Sequence, residues 1–257
     1  DYDHVDTYPT KEDYDRTFRQ YVLQAKELFI NIDDVNKIEH PKIVTFGRKK
    51  EADYACLDAK QTEKGMSGTL LYKDQSLPFF FPFYGEHNLM HALAVFAYLD
   101  THHYDLEKGL GALTKFTSVN RRLECTIIND DVFIDDYAHH PKEIEATLQA
   151  VRAMYPSHKV IIFFKPDRYT RLLAFQEEFK VALDKADQSY VLPLYEHVEG
   201  YHDSRILCEN NASTYLADEN DLQNLHFPSF PLVFVYLSSK KMKDWIQKIV
   251  KNRESKS

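Results

Sequence analysis

The chain has 257 residues, 44% of them hydrophobic and 28% charged, and 40 acidic against 32 basic side chains give a formal net charge of −8. That length is expected to form two domains able to bury their own cores, and the acidity speaks against a nucleic-acid backbone as partner, because that needs a basic face. No run of about 18 apolar residues is present to span a membrane, and three scattered cysteines, Cys56, Cys125 and Cys208, show neither zinc spacing nor a disulfide framework, for which a reducing compartment is the simplest reading.

The acidic opening DYDHVDTYPT does not read as a signal peptide. The first predicted helix follows Pro9 and Thr10. Thr10 is its expected cap, Asp13 sits at the capping-box position, and Tyr14, Phe18, Tyr21, Val22, Ala25 and Leu28 form an apolar face at helical spacing. Short strands are expected at Lys42–Gly47 and Ala52–Asp58, and Thr69–Lys73 with Leu77–Pro82 reads as a hairpin around the KDQS turn. His87–Asp100 reads as a strongly apolar helix and Leu106–Leu113 as a shorter one. Small and polar residues from Thr117 to Arg121 break the pattern, and the boundary is placed there, giving domains at 1–118 and 119–257.

Beyond the boundary strands and helices alternate. Strands are expected at Glu124–Asn129 and Val132–Asp136, then a helix at Pro141–Met154 with proline in its first turn. Strand Lys159–Phe164, helix Arg171–Ala186, strand Gln188–Leu194, a long polar stretch, strand Leu232–Leu237 and a final helix Lys241–Lys251 complete the pattern. Such alternation implies right-handed crossovers and a mainly parallel sheet, an α/β fold. Ligands of such sheets sit beyond the carboxyl ends of the strands.

Glycine is sparse, at seven residues, and none forms a GxGxxG or GxxxxGK[ST] cluster, so the chain carries no glycine-rich phosphate cradle of its own. Unusual polar residues gather instead where strands end. In IDDYAHHPKEI, Ile134 to Ile144, a buried strand ends in Asp135 and Asp136, and Tyr137, His139 and His140 follow before Pro141 opens a helix. That density suits a binding site; the plainer reading is a helix cap by Asp136 with satisfied histidines. A metal site is disfavoured there, since adjacent histidines diverge and no third ligand follows at helical spacing. In FFKPDRYTR, Phe163 to Arg171, Arg168 and Arg171 would share one side of an opening helix and form a local anion site. Ion pairing with Glu177 or Glu178 is the plainer alternative. In YGEHNLMHALAV, Tyr84 to Val95, Asn88 either caps a helix or meets a ligand. Arg121 and Arg122 of VNRRLE are either a solvated linker or a ligand contact. His4, among the aspartates of DYDHVD, either helps hold a divalent cation or belongs to a frayed terminus.

GEHN followed by ALA, then NRRLE, DDYAHHPKEIEATLQAVR and FKPDRYTR, in this order and at these spacings, resemble the Mur ligases. The resemblance covers nearly the whole chain, is clearest from Tyr84 to Glu199, and extends to DYDHVDTYPT, which is similar to the family's N-I-D-x-D-H-x-D segment. It implies part of a central ATPase domain followed by a Rossmann-like C-terminal domain. It also implies a chain that begins part-way through a three-domain plan, with the phosphate loop and N-terminal domains supplied by a parent protein, so that this chain alone is expected to be inactive. The implied reaction is an ATP-driven, cytoplasmic amide-bond ligation in bacterial peptidoglycan synthesis. The muramoyl carboxylate of UDP-N-acetylmuramate is joined to an amino acid, L-alanine in the most similar branch, through an acyl phosphate. ATP and Mg²⁺ are the implied cofactors, and small molecules, not nucleic acid or membrane, the partners. By position, the resemblance implies His4 as a metal ligand and Asn88, Arg121, Arg122, Asp135 and Tyr137 as nucleotide contacts. It implies His139, Arg168 and Arg171 as residues facing the muramoyl substrate or the incoming amino acid.

Four departures stand out. His91 replaces the second asparagine of the family's GxHNxxN pattern, Asp167 the histidine of P-H-R-Y-T-R, Lys165 the glutamine before that proline, and Leu237–Lys240 a late G-A-G-D turn. Asp167 puts a negative charge beside the supposed anion site. These changes speak for one rival reading, a divergent binding module without turnover; a murein tripeptide-recycling ligase is the alternative within the enzyme reading.

Overall fold

The computed structural model describes residues 2–62, 64–116, 119–194 and 203–254. Asp1, Thr117 and Ser118 at the expected boundary, and Glu199 at the end of the resemblance, lie outside the described residues. The chain divides into two compact units, one made of Tyr2 and Thr7–Thr117, the other of Asp3–Asp6 and Ser118–Ser257. Among the described residues no helix is long and apolar enough to cross a membrane.

In the unit formed by Thr7–Thr117, helix α1 (Lys11–Val22) opens as expected, with the Thr10 hydroxyl accepting the Asp13 N–H at 3.1 Å. It ends at Val22, short of Ala25 and Leu28, and Val22 is its one buried residue; Phe18 is 48% and Tyr21 70% exposed. Leu28 instead opens strand β1 (Leu28–Asn31). The helical spacing misled here because Leu28, Phe29 and Ile30 form a short continuous apolar run, which periodicity alone cannot assign. Strand β1 pairs in parallel with β2 (Ile43–Gly47), and β2 with β3 (Tyr54–Ala55). Strand β5 (Gly65–Tyr72) is antiparallel to β3, to β4 (Lys60–Thr62) and to β6 (Gln75–Phe81). The expected hairpin is there, but its turn is two residues, Lys73 and Asp74, both at positive φ. That left-handed pair matches the twist of the flanking strands. Helix α2 (Glu86–Thr101) buries Leu89, Leu93 and Phe96 beside a ladder of stacked rings, Phe79, Phe81 and Phe83, spaced 4.4 and 4.9 Å apart. Helix α3 (Leu106–Leu113) follows as expected.

The other unit is a six-stranded sheet in the order β11-β10-β9-β12-β8-β7. Its strands are β7 (Glu124–Ile128), β8 (Asp131–Asp136), β9 (Lys159–Phe164), β10 (Gln188–Val191), β11 (Thr214–Tyr215) and β12 (Leu232–Leu237). All pairs are parallel except the β7–β8 hairpin. Continuous apolar runs such as VIIFF in β9 and LVFVYL in β12 are buried along nearly their whole length, as strands covered on both faces require. Helices α4 (Pro141–Met154) and α6 (Gln176–Leu183) pack together. Trp245 and Ile249 of helix α7 (Trp245–Glu254) join the cluster of Phe133, Phe163, Phe234 and Tyr236. The helix expected at Arg171–Ala186 is two, because α5 (Tyr169–Ala174) ends at Phe175, whose ring meets His140 edge-on at 4.9 Å. At the amino end of the sheet, Arg253 of α7 grips Asp131 with two bonds of 2.8 and 3.1 Å.

Gly65, at φ +140°, begins β5, and a Cβ there would lie 2.0 Å from the Phe81 carbonyl oxygen. The obstacle is backbone within a strand pair, which cannot swing aside. Gly65→Ala is therefore expected to lower the unfolding free energy by roughly 2 kcal/mol, read as a shifted midpoint in urea.

Candidate functional site

The carboxyl ends of β8, β12 and β9 lie side by side and are laced together past the last ladder pair. The Ser238 N–H donates to Asp136 O at 3.1 Å, Lys165 N–H to Leu237 O at 3.0 Å, and Leu192 N–H to Phe164 O at 2.8 Å. Two of the polar stretches singled out in the sequence, IDDYAHHPKEI and FFKPDRYTR, leave this rim, one after β8 and one after β9.

Much of the turn after β8 serves folding. Asp136 is buried and accepts the Leu123 and Ala138 N–H groups, each at 2.8 Å, and the Thr147 hydroxyl at 3.2 Å. It is not the helix cap. That role falls to His140, which accepts the Lys142 N–H at 3.3 Å, while Glu143 accepts the N–H groups of His139 and His140 at 2.9 and 3.1 Å. A capping box built on histidine gives no sequence signal of the usual kind. Tyr137, Asp135 and His139 remain to shape the surface. The Tyr137 ring is exposed, lies under the Arg122 guanidinium at 5.0 Å and meets His139 edge-on at 5.1 Å. Nδ1 of His139 lies 2.8 Å from the Tyr137 carbonyl.

Arg121 is 7% exposed and spends four N–H bonds inside the protein. Nε donates to Asp135 Oδ1 at 3.0 Å, Nη1 to Ser239 O at 3.0 Å, and Nη2 to Ser238 O and Lys240 O at 2.5 and 3.0 Å. Burial pushes the Asp135 carboxyl up from its ordinary value, and the bond and charge of Arg121 work against that.

The turn after β9 is also occupied by the chain itself. Arg171 is 3% exposed, grips Asp3 in a fork (Nε–Oδ1 2.8 Å, Nη2–Oδ2 3.0 Å) and gives Nη1 to Asp167 at 2.8 Å. Arg168, partly exposed, pairs with Asp6 at 3.0 Å. These partners are not the expected Glu177 and Glu178 but aspartates 162 and 168 residues away in sequence, which no local pattern could find. Asp167, which looked like an intruder, is a ligand of Arg171. Burial alone would raise the Asp3 carboxyl; the hydrogen bonds and charge of Arg171, with those of His4, hold it down at about 2. Lys165, another substituted position, pairs with Glu219 at 2.5 Å.

Asn88 belongs to the other unit. It lies inside α2, whose cap is Gly85, and its side-chain amide donates to Tyr84 O at 2.7 Å. His4, at φ 56°, has its Nε2 3.8 Å from Asp3 Oδ2. Among the described residues no group of three or more His, Cys, Asp or Glu side chains is placed to hold a metal ion. Asp3 is engaged by Arg171, so the donors present do not make a complete magnesium site.

Two family descriptions match the sequence: "Mur ligase middle domain" over residues 1–99 and "Mur ligase, glutamate ligase domain" over residues 121–222. UDP-N-acetylmuramate–L-alanine ligases of Streptococcus equi subsp. zooepidemicus and Streptococcus pyogenes are each 36% identical over 200 residues, which is 76% of this chain and 45% of theirs. The chain thus spans about half the length of the curated relatives it matches. Among solved structures, the UDP-N-acetylmuramate-alanine ligase MurC of Thermotoga maritima superposes with a TM-score of 0.75 at 23% identity, over 99% of this chain and 58% of that one. MurF ligase of Thermotoga maritima in complex with ADP gives 0.75 at 14%, over 99% and 60%. These two likenesses bear on the fold.

A carboxyl with a depressed folded value stabilises the protein above its unfolded value, near 4, and loses that contribution as pH falls toward the folded value, here about 2. Stability is therefore expected to drop between about pH 4 and pH 2 by an Asp3-dependent amount on the order of 2 kcal/mol. In Asp3→Asn that part of the drop should be missing when urea midpoints are compared across this range.

Proposed function

The chain belongs to the Mur ligase family, and on that premise we propose that it supplies the acceptor side of an ATP-dependent amide-bond ligase acting on UDP-N-acetylmuramate and L-alanine in the bacterial cytoplasm. The observation that carries the reading is the shared rim. Asp135 near the end of strand β8, Tyr137 and His139 just after it, and Arg168 after β9 stand at the carboxyl ends of strands in one parallel sheet, where α/β folds hold their ligands. The match to the streptococcal alanine ligases over 200 residues favours L-alanine over the tripeptide of the recycling ligase.

In this reading the nucleotide meets Asp135, Tyr137 and Arg122. The exposed Tyr137 ring with Arg122 over it offers a flat, cationic surface to a base or phosphate. His139 and Arg168 face the muramoyl carboxylate or the amino acid, and Arg168 neutralises charge that builds on the reacting oxygens. Arg171 acts from behind, ordering the turn that carries Arg168, since its own donors are taken by Asp3 and Asp167. ATP transfers its terminal phosphoryl group to the carboxylate with release of ADP, and the amine then attacks the acyl carbon, forming the C–N bond as the bond to phosphate breaks, with phosphate and the amine proton released. The 257 residues contain no glycine-rich phosphate cradle, so by themselves they do not complete an ATP-cleaving site. His4 is assigned to Mg²⁺ by resemblance.

The test is a chimaera in which the chain replaces the matching segment of the Streptococcus pyogenes ligase. L-alanine-dependent ADP release is expected from it. Arg168→Ala and His139→Ala should each lower kcat/KM by about 100-fold with unchanged unfolding midpoints. Full activity in both variants would remove these residues from the acceptor site.

A further inference from the structure

Arg121 stands where the linker, β8 and the turn after β12 meet. Its guanidinium bonds to Asp135 and to three successive carbonyls, Ser238, Ser239 and Lys240. Its own backbone is equally engaged: the N–H donates to Glu124 at 2.9 Å, the carbonyl accepts the Tyr137 N–H at 2.8 Å, and φ is 59°. A side chain this buried, with four donors spent, has little left to offer a ligand. It has a great deal of control over two groups that do face the rim, Asp135 and Tyr137. Only the planar, diverging donors of arginine reach a carboxylate on one side and three carbonyls on the other; a lysine ammonium offers three donors from one point. The turn is built to receive it, since the Ser238 hydroxyl accepts the Lys240 N–H at 3.2 Å and the Tyr236 hydroxyl donates to Lys240 O at 3.0 Å.

We propose that Arg121 is a positioning residue and not a nucleotide contact: it orients Asp135 and Tyr137 toward the nucleotide by tying both to the turn Ser238–Lys240. The proposal rests on the nucleotide reading of this rim. It has an electrostatic consequence. Asp135 faces Glu124 across the β7–β8 pair, has Asp136 as its neighbour on β8, and lies near the buried phenol of Tyr236 on β12. Burial and the two carboxylates all favour its neutral form, and Arg121 is the group that opposes them. Without Arg121, Asp135 would take up its proton at higher pH, and a site that needs the carboxylate would gain a pH dependence it otherwise lacks.

The experiment titrates Asp135 by carboxyl-carbon NMR in the unaltered chain, in Arg121→Gln and in Arg121→Lys, and measures the Kd of ADP in each across the same pH range. Arg121→Gln is expected to raise the Asp135 midpoint by at least one pH unit and to weaken ADP about tenfold at pH values below that midpoint, the difference fading as pH rises above it. Arg121→Lys should recover part of both, and it carries the titration if the glutamine variant fails to fold. A merely structural role would lower thermal stability and leave the midpoint of Asp135 in place, which overturns the proposal. So does a loss of ADP affinity on Arg121→Gln that is undiminished when Asp135 is already asparagine, because that describes a direct contact. If the unaltered chain binds no ADP, the nucleotide reading falls, and the titration alone still decides whether Arg121 controls Asp135.

Discussion

A parallel sheet leaves its last carbonyls and amides pointing past the carboxyl edge, and something must satisfy them before that edge can serve as a site. Here the main answer is one buried guanidinium. Arg121 collects the three carbonyls of Ser238–Lys240 and the Asp135 carboxylate, joining the ends of β12 and β8. Asp136 does the complementary work with amides, taking those of Leu123 and Ala138. Arg253 on Asp131 closes the amino edge in a similar way. Tyr137, with the Arg122 guanidinium over its ring and His139 against its edge, shapes the surface beside these supports.

The turn after β9 obeys the same constraint under a different charge pattern. A guanidinium as buried as Arg171 is costly unless its charge is matched and its donors are used. Asp3 and Asp167 do both. The aspartate that replaces the family's histidine is thereby explained: with Asp167 and Asp3 on Arg171 and Asp6 on Arg168, the pair of arginines is an internal ion network first. Arg168, with a third of its side chain open to solvent, is the member that keeps access to a guest.

Where the sequence carried a strong local signal, it was enough. The apolar runs of β9 and β12 and the proline that starts α4 put those elements at their observed bounds, and the motifs at strand ends led to the right rim of the sheet. Short apolar runs are ambiguous, so β1 reads as part of a longer α1, and the break at Phe175, whose ring meets His140, carries no glycine or proline to mark it. The division of labour within the motifs is only partly legible. A supporting role for Asp136 and the histidines is the plainer reading of the turn after β8, but Arg121 and Arg171 look like ligand residues by type, and only partners up to 168 residues distant reveal them as supports.

The central claim is that the carboxyl rim of the second sheet, held by Arg121, is where a nucleotide is received. Amide shift mapping of the nitrogen-labelled chain during titration with ADP tests it most directly. Saturable shifts should gather at Arg122, Tyr137–His139 and Ser238–Lys240, with the amino edge around Asp131 and Lys159 left silent. Shifts centred on that amino edge, or none on the rim at saturating ADP, would contradict it.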